Sequence, residues 1–385
     1  MKTGVAELPL HDGSVPRWLI ARMERLAGIL VEMIVEEYGT RGLLERLADP
    51  VYFQAINNII GMDWDSSGST TVTTAVLKKV LEERELGVKA CGGKGSSSRK
   101  APEEIRLHAE KYGLDPSGLV STSYLVAKVD SAALQAGYQL YHHAFFFDEE
   151  GRWAVVQQGM KPSTRTARRY HWFSERVGDV TVEPHSGIHG FREPFALNTV
   201  AAEAGEFRRL VVDLVGEGAS RLERLVSEAL RVLEGYSPLV SYAPYSAEKA
   251  RSLRERMRRL GKPSLSREAL ASLAGRGVES FRDILAAKAV GPSAIRALAL
   301  VAELVYETPP SWRDPVTHQV DPFKFAYAVG GKDGVPFPVD RKTYDELISI
   351  LEELKQRFRG EPGVFRRLAE LTKNWTPPPE EKVPT

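Results

Sequence analysis

The chain has almost no cysteine, almost no net charge and no long apolar run. Its 385 residues hold a single cysteine, Cys91. Disulfides within the chain and a cysteine-built zinc site are therefore excluded, and a reducing cytoplasm is the expected compartment. Lys and Arg number 52 against 51 Asp and Glu, a net of +1, so any basic surface must be local. No stretch reads as a signal peptide or a membrane span. The apolar stripe of Leu19–Tyr38 is interrupted by charges throughout, which excludes a membrane partner for it. Metal-ligand patterns are sparse as well. His185 and His189 are four residues apart, but Pro184 and Gly190 oppose a helix there and no third ligand is visible. Asp63 and Asp65 flank Trp64 in a polar, Gly-rich run, which reads either as a metal pair or as the cap of the next helix.

What is present is an ordinary globular composition, 43% hydrophobic and 27% charged. The length predicts two or three domains. Patterning divides them into a helical region 1–118, a β-rich region 119–195, a helical region 196–375 and a flexible, proline-led tail 376–385. The expected fold class is α+β, mostly helical, with a central antiparallel β segment and a C-terminal helix-hairpin-helix region. Pro16 opens a helix with Leu19, Met23, Leu26 and Leu30 on one face, closed by Gly39. Further helices are expected over about 41–58, 72–85, 102–111, 197–236 and 246–260. Thr122–Val129 reads as a strand. Tyr138–Phe147 and Arg152–Gln158 read as a hairpin around Asp148-Glu149-Glu150-Gly151.

The turn Ala289-Val290-Gly291-Pro292-Ser293 organises the C-terminal half. Phe281, Ile284 and Leu285 precede it on one helical face; Ile295, Leu298 and Val301 follow it on another. Gly291 permits the reversal, and Pro292 presets the second helix at no cost in hydrogen bonds. The N–H groups of Ser293, Ala294 and Ile295 then form an anion site, with Arg296 and Lys288 beside it. A plain αα-hairpin is the alternative. From Glu248 to Arg296 there are twelve Lys and Arg against five Asp and Glu, a net of +7. A basic stripe beside such a turn suits DNA.

Other residues could serve the same partner. Gly92-Gly93-Lys94-Gly95 lacks the glycine and hydroxyl that a nucleotide P-loop requires. It remains either a basic loop placing Lys94 against a nucleic-acid backbone or a solvated linker. In Arg168-Arg169-Tyr170-His171-Trp172, arginines sit among aromatics, which suits phosphate contact and base stacking. Tyr141-His142-His143 and Gln157-Gln158 put imidazoles and amides on two paired strands, where a core would hold apolar groups.

Nearly the whole chain resembles the uncharacterised prokaryotic family known as domain of unknown function 763. The resemblance is carried by Leu8-Pro9-Leu10-His11, Asp63–Thr71, Gly92-Gly93-Lys94-Gly95, Tyr141-His142-His143, Gln157-Gln158-Gly159-Met160, Arg168–Trp172 and Pro338-Val339-Asp340-Arg341-Lys342. It implies no activity. The C-terminal part also resembles helix-hairpin-helix DNA glycosylases, in which a Pro-Val-Asp segment follows the hairpin. That likeness implies Asp340 as the carboxylate beside the sugar. The loop before Asp340 is longer here, and Ser293 stands where a Schiff-base lysine would be.

The expected function is thus a DNA-processing enzyme that cleaves an N-glycosidic bond. Asp340 would be the catalytic carboxylate; Tyr141, His142, Gln157, Gln158 and Tyr170 would line the base pocket or supply a general acid, with Tyr141, His142 and Gln158 counted among the catalytic residues. Gly291, Ser293, Ala294, Arg296, Lys94, Arg168, Arg169, Tyr170 and Trp172 would hold the nucleic acid. No cofactor is needed for that chemistry. A nuclease using Mg²⁺ near Asp130, or a DNA-binding protein without activity, are the alternatives. Asp340 also fits a helix N-cap.

Overall fold

The computed structural model describes residues 8–9, 15–62, 67–235, 247–274, 277–318 and 339–357. In chain order come β1 (Leu8–Pro9), α1 (Arg17–Leu47), α2 (Pro50–Ile59), α3 (Ser67–Arg84) and β2 (Val88–Lys94). A 3₁₀ turn, Gly95–Lys100, leads into α4 (Ala101–Lys111) and α5 (Pro116–Lys128). A π turn, Val129–Ala133, runs into β3 (Leu134–Gln135), followed by β4 (Gln139–Asp148), β5 (Trp153–Lys161), β6 (Thr166–Phe173), β7 (Gly187–His189) and β8 (Leu197–Asn198). Helices complete the chain: α6 (Gly205–Gly216), α7 (Ala219–Glu234), α8 (Ala247–Leu260), α9 (Arg267–Ala274), α10 (Phe281–Ala286), α11 (Pro292–Val305) and α12 (Arg341–Arg357). The chain is α+β and mostly helical, as its patterning predicts.

The main sheet runs β1–β6–β5–β4–β2, with β7 also on β6, and all its pairings are antiparallel. The β4–β5 hairpin closes as the sequence predicts. The Asp148 carboxylate accepts the N–H groups of Glu150 and Arg152 at 3.1 and 3.0 Å. Successive strand residues face opposite ways, and here both faces are covered. Ala144, Phe146, Ala154 and Val156 pack with Val31, Leu43 and Leu77 of α1 and α3. Phe145, Phe147 and Val155 share a second core with α4, α5 and the helices α6–α11. All eight residues of β6 are buried.

Several sequence expectations need correction. Thr122–Val129 is not a strand; as far as Lys128 it is the second half of α5, and Val129 opens the π turn. The Asp115 carboxylate accepts the Ser117 N–H at 3.0 Å and Pro116 sits in the first turn. Leu119, Ser123 and Val126 then bury one helical face, so capping and packing overrule β-branched propensity. The expected helix 197–236 is β8, α6 and α7, the two helices parted at Gly218, which has φ of 103°. Gly39, at φ 69°, kinks α1 rather than ending it. The second helix of the hairpin, α11, is buried on every side from Ala294 to Glu303, because all of that span but Arg296 and Glu303 is apolar and it forms the axis of the C-terminal helices. Asp63, Asp65 and Pro338 lie outside the described residues.

Candidate functional site

With helices on both sides of the sheet, each strand contributes polar groups to two separate interior layers. On the α5 side the centre is Asp130, in the π turn that ends α5, with 1% of its surface exposed. One carboxylate oxygen, Oδ2, accepts Gln157 Nε2 at 2.5 Å and Trp172 Nε1 at 3.0 Å. The other, Oδ1, lies 2.5 Å from His185 Nε2. Gln157 in turn meets His143 Nδ1 at 2.9 Å, and His143 Nε2 meets Ser123 Oγ at 2.8 Å. The His185 ring rests on Trp172 with centroids 4.5 Å apart.

His185 lies in the wall of a cleft of about 820 Å³. Its Nε2–H donates to Asp130, which fixes the tautomer and leaves Nδ1 as the free acceptor. The cleft is rich in carboxylates, and most are committed. Glu193 pairs with Lys161 at 2.8 Å, Asp314 with Arg168 at 2.6 Å, and Glu203 accepts Ser311 Oγ at 2.7 Å, which holds its pKa below the usual carboxylate value. Glu183, exposed at φ 41°, has no side-chain partner among the described residues. Arg313 is likewise exposed at the rim. A non-glycine residue in the left-handed region is unusual and is often found at functional positions.

A basic helix, α8, packs on aromatics next in sequence to residues of this cleft. α8 exposes Arg251, Arg254, Arg258 and Arg259. Arg256 lies over the Trp312 ring at 4.5 Å and Arg259 over the Phe195 ring at 5.8 Å. These aromatics adjoin Arg313 and Pro194, which line the cleft. The loop after α8 touches the Gly291 bend, where Ser264 N–H donates to Ser293 O at 3.1 Å. Among the described residues no three His, Cys, Asp or Glu side chains gather as a metal site.

The other layer faces α1–α3 and unites three of the expected catalytic residues. A bulge between Leu140 and His142 turns Tyr141 towards the His142 face. Gln158 donates to the Tyr141 hydroxyl and accepts from Thr70 Oγ1. His142 Nε2 meets Thr74 Oγ1 at 3.0 Å, and burial drives its pKa down to about 3. Both His142 and His143 are buried, because the sheet has no open face. Asp340 is not with them. It is an exposed N-cap of α12, accepting the Thr343 N–H at 2.8 Å, and its pKa is lowered by the Thr343 hydroxyl. It lines neither this layer nor the cleft.

Most of the expected nucleic-acid contacts are interior. Arg168 and Arg169 are fully buried, Arg168 on Asp314 and Arg169 on Gln54 Oε1 at 2.7 Å. Tyr170 and Trp172 are buried beneath the cleft layer. A strand packed on both faces leaves no surface for these side chains; internal acceptors take part of each guanidinium, while Arg168 Nε and Arg169 Nε and Nη1 are buried without a hydrogen-bond acceptor. Ala294 and Arg296 are buried too; Arg296 donates to Gln135 Oε1 at 2.6 Å and Lys262 O at 3.1 Å. Gly291 and Ser293 stay partly open, and Lys94 is exposed. The His185–Asp130 pair escaped sequence reasoning. Its members are 55 residues apart, and His185 stood out only through its spacing to His189, which sits on β7.

A family model described as "Protein of unknown function (DUF763)" matches residues 4–339. No curated protein and no solved structure matches the chain. No helix among the described residues is long and apolar enough to cross a membrane.

Proposed function

Starting from a chain that belongs to the DUF763 family, we propose that the cleft over His185 is the active site of a DNA-processing hydrolase that releases a base by cleaving its N-glycosidic bond. The observation that carries this reading is His185, locked by buried Asp130 with Nδ1 left free, in the wall of a cleft whose adjoining aromatics, Trp312 and Phe195, carry Arg256 and Arg259 of α8. A volume of about 820 Å³ accepts an extruded nucleoside. His185 Nδ1 takes a proton from water as the water oxygen bonds to the anomeric carbon. The bond from that carbon to the base nitrogen breaks, its electron pair leaving with the base, which takes up a proton from solvent, and His185 then returns its proton to solvent. Asp130 stabilises the imidazolium formed in between. Glu183, a cleft carboxylate with no side-chain partner among the described residues, favours the positive charge that develops on the sugar. Arg251, Arg254, Arg258 and Arg259 hold the phosphates leading to the cleft. Asp340 has no part in this arrangement.

His185→Ala is expected to slow base release by about 10²- to 10⁴-fold while preserving a gel shift with the same DNA. Arg251→Glu with Arg258→Glu should abolish the shift. The assay uses labelled duplexes carrying normal, deaminated or oxidised bases in EDTA, with strand breaks revealed by alkali. Breaks that require Mg²⁺ would instead indicate a nuclease. Undiminished base release by His185→Ala would remove His185 from the mechanism.

A further inference from the structure

On the reading of His185 as the group that takes a proton from water, we infer that Gln157 is a positioning residue for it. The Gln157 amide holds the Asp130 carboxylate in the orientation that keeps Oδ1 on His185. Gln157 is fully buried on β5 and lines no part of the cleft. Antiparallel pairing sets it between His143 of β4 and Tyr170 of β6. It therefore acts on His185 through Asp130, not on a substrate.

The direction of each hydrogen bond behind Asp130 follows from that amide. Gln157 Nε2 lies 2.5 Å from Asp130 Oδ2 and 3.2 Å from Val126 O. A carboxylate and a peptide carbonyl only accept, so the amide nitrogen must face them. A flipped amide would set its oxygen against two acceptors. Oε1 is thereby turned to His143 Nδ1, at 2.9 Å, and that nitrogen must carry a proton. Burial lowers the pKa of His143, so the ring is neutral and its Nε2 is bare. Ser123 Oγ–H donates to that nitrogen at 2.8 Å. Hydroxyl, imidazole and amide thus all donate in the direction of Asp130. Both Nε2 protons and Oε1 of Gln157 are engaged, which fixes the amide in a single conformation. Trp172 Nε1, at 3.0 Å, is the second donor to Oδ2. Donors on two neighbouring strands, β5 and β6, pin that oxygen, so the carboxylate cannot turn and Oδ1 stays 2.5 Å from His185 Nε2. Trp172 also carries the His185 ring, at 4.5 Å between centroids. Gln157 is thus the donor whose loss disturbs Asp130 without removing the support of the ring.

Nuclear magnetic resonance of the full chain with isotope-labelled histidine, together with the kinetics of base release, tests this. In the native chain His143 should carry its proton on Nδ1. The His185 Nε2 proton, donated to a carboxylate, should give a far-downfield signal protected from exchange. Loss of each signal in His143→Gln and His185→Ala assigns it. Gln157→Met keeps the side-chain length and removes the amide. The His143 proton should then move to Nε2, where Ser123 Oγ accepts it. The downfield His185 signal should vanish, and kcat for base release should fall about 10- to 100-fold with KM within about twofold. A Gln157 needed only for packing would leave the His185 signal in place. A native His143 protonated on Nε2 or an unprotected His185 ring proton in the native chain would overturn the assignment, even if Gln157→Met failed to fold. So would an unchanged His185 signal or an undiminished kcat in Gln157→Met. Expected signals in a native chain that releases no base would sink the reaction at His185 and leave Gln157 as the group that orients Asp130.

Discussion

Asp314→Ala is expected to destabilise the protein by about 3–5 kcal/mol. Arg168 and Asp314 form a two-pronged pair, Nη1 to Oδ1 at 3.0 Å and Nη2 to Oδ2 at 2.6 Å. Their side chains are 0% and 1% exposed. Removing the carboxylate strands a guanidinium in the interior, where it cannot shed its proton. Its remaining contacts, Phe191 O at 2.8 Å and the Tyr138 ring at 4.4 Å, do not neutralise it. Asp314 also accepts the Glu193 N–H at 2.7 Å, so the cleft wall loosens with the pair. Urea unfolding measures the loss. The double variant Arg168→Met/Asp314→Leu should recover most of it, because replacing both partners leaves no buried charge. A cost below about 1 kcal/mol for Asp314→Ala would mean that solvent reaches the pair.

Acidification is expected to produce the second large effect. His142, His143, His171 and His189 are buried, and burial lowers the pKa of each, that of His142 to about 3. In the unfolded chain they titrate near 6.5. Below that pH the unfolded state binds protons that the folded state refuses, so stability falls as pH falls. It is fully present above about pH 6.5 and drains away towards pH 3. His142 alone then costs about 2 kcal/mol between pH 7 and pH 5, and the other three act in the same direction. Carboxylates whose pKa is lowered, such as Glu203 and Asp340, respond only below about pH 4.5. The interval from pH 6.5 to 5 therefore belongs to histidine. Melting temperatures recorded at pH 7 and pH 5 should drop sharply for the native chain and less for His142→Phe. Equal melting temperatures would mean that these imidazoles are not held neutral.

The elements that local patterning could reach were legible. The aromatic and β-branched runs either side of Asp148–Gly151 form β4 and β5, and the α+β class follows. Pro292 begins α11, and the basic stripe from Glu248 to Arg296 starts on α8 and runs on to α11, where Arg296 is buried. Three of the expected catalytic groups, Tyr141, His142 and Gln158, do meet, because antiparallel pairing sets His142 opposite Gln158. Amino-acid type alone did not reveal where Arg168, Arg169, Tyr170 and Trp172 would point. Arginine beside tryptophan reads the same on a surface and in a core, until it is known what packs on each face of the strand.

By itself the sequence determined what nearest neighbours dictate: most helix periods, the β4–β5 turn and the lack of disulfides. Tertiary structure decided which polar groups became interior and which remained available. His185 meets Asp130 across 55 residues, Arg168 meets Asp314 across 146, and α11 becomes a core axis only when α6, α7 and α8 close around it. Such pairings depend on distances through space, and those are set only when the sheet is covered on both faces.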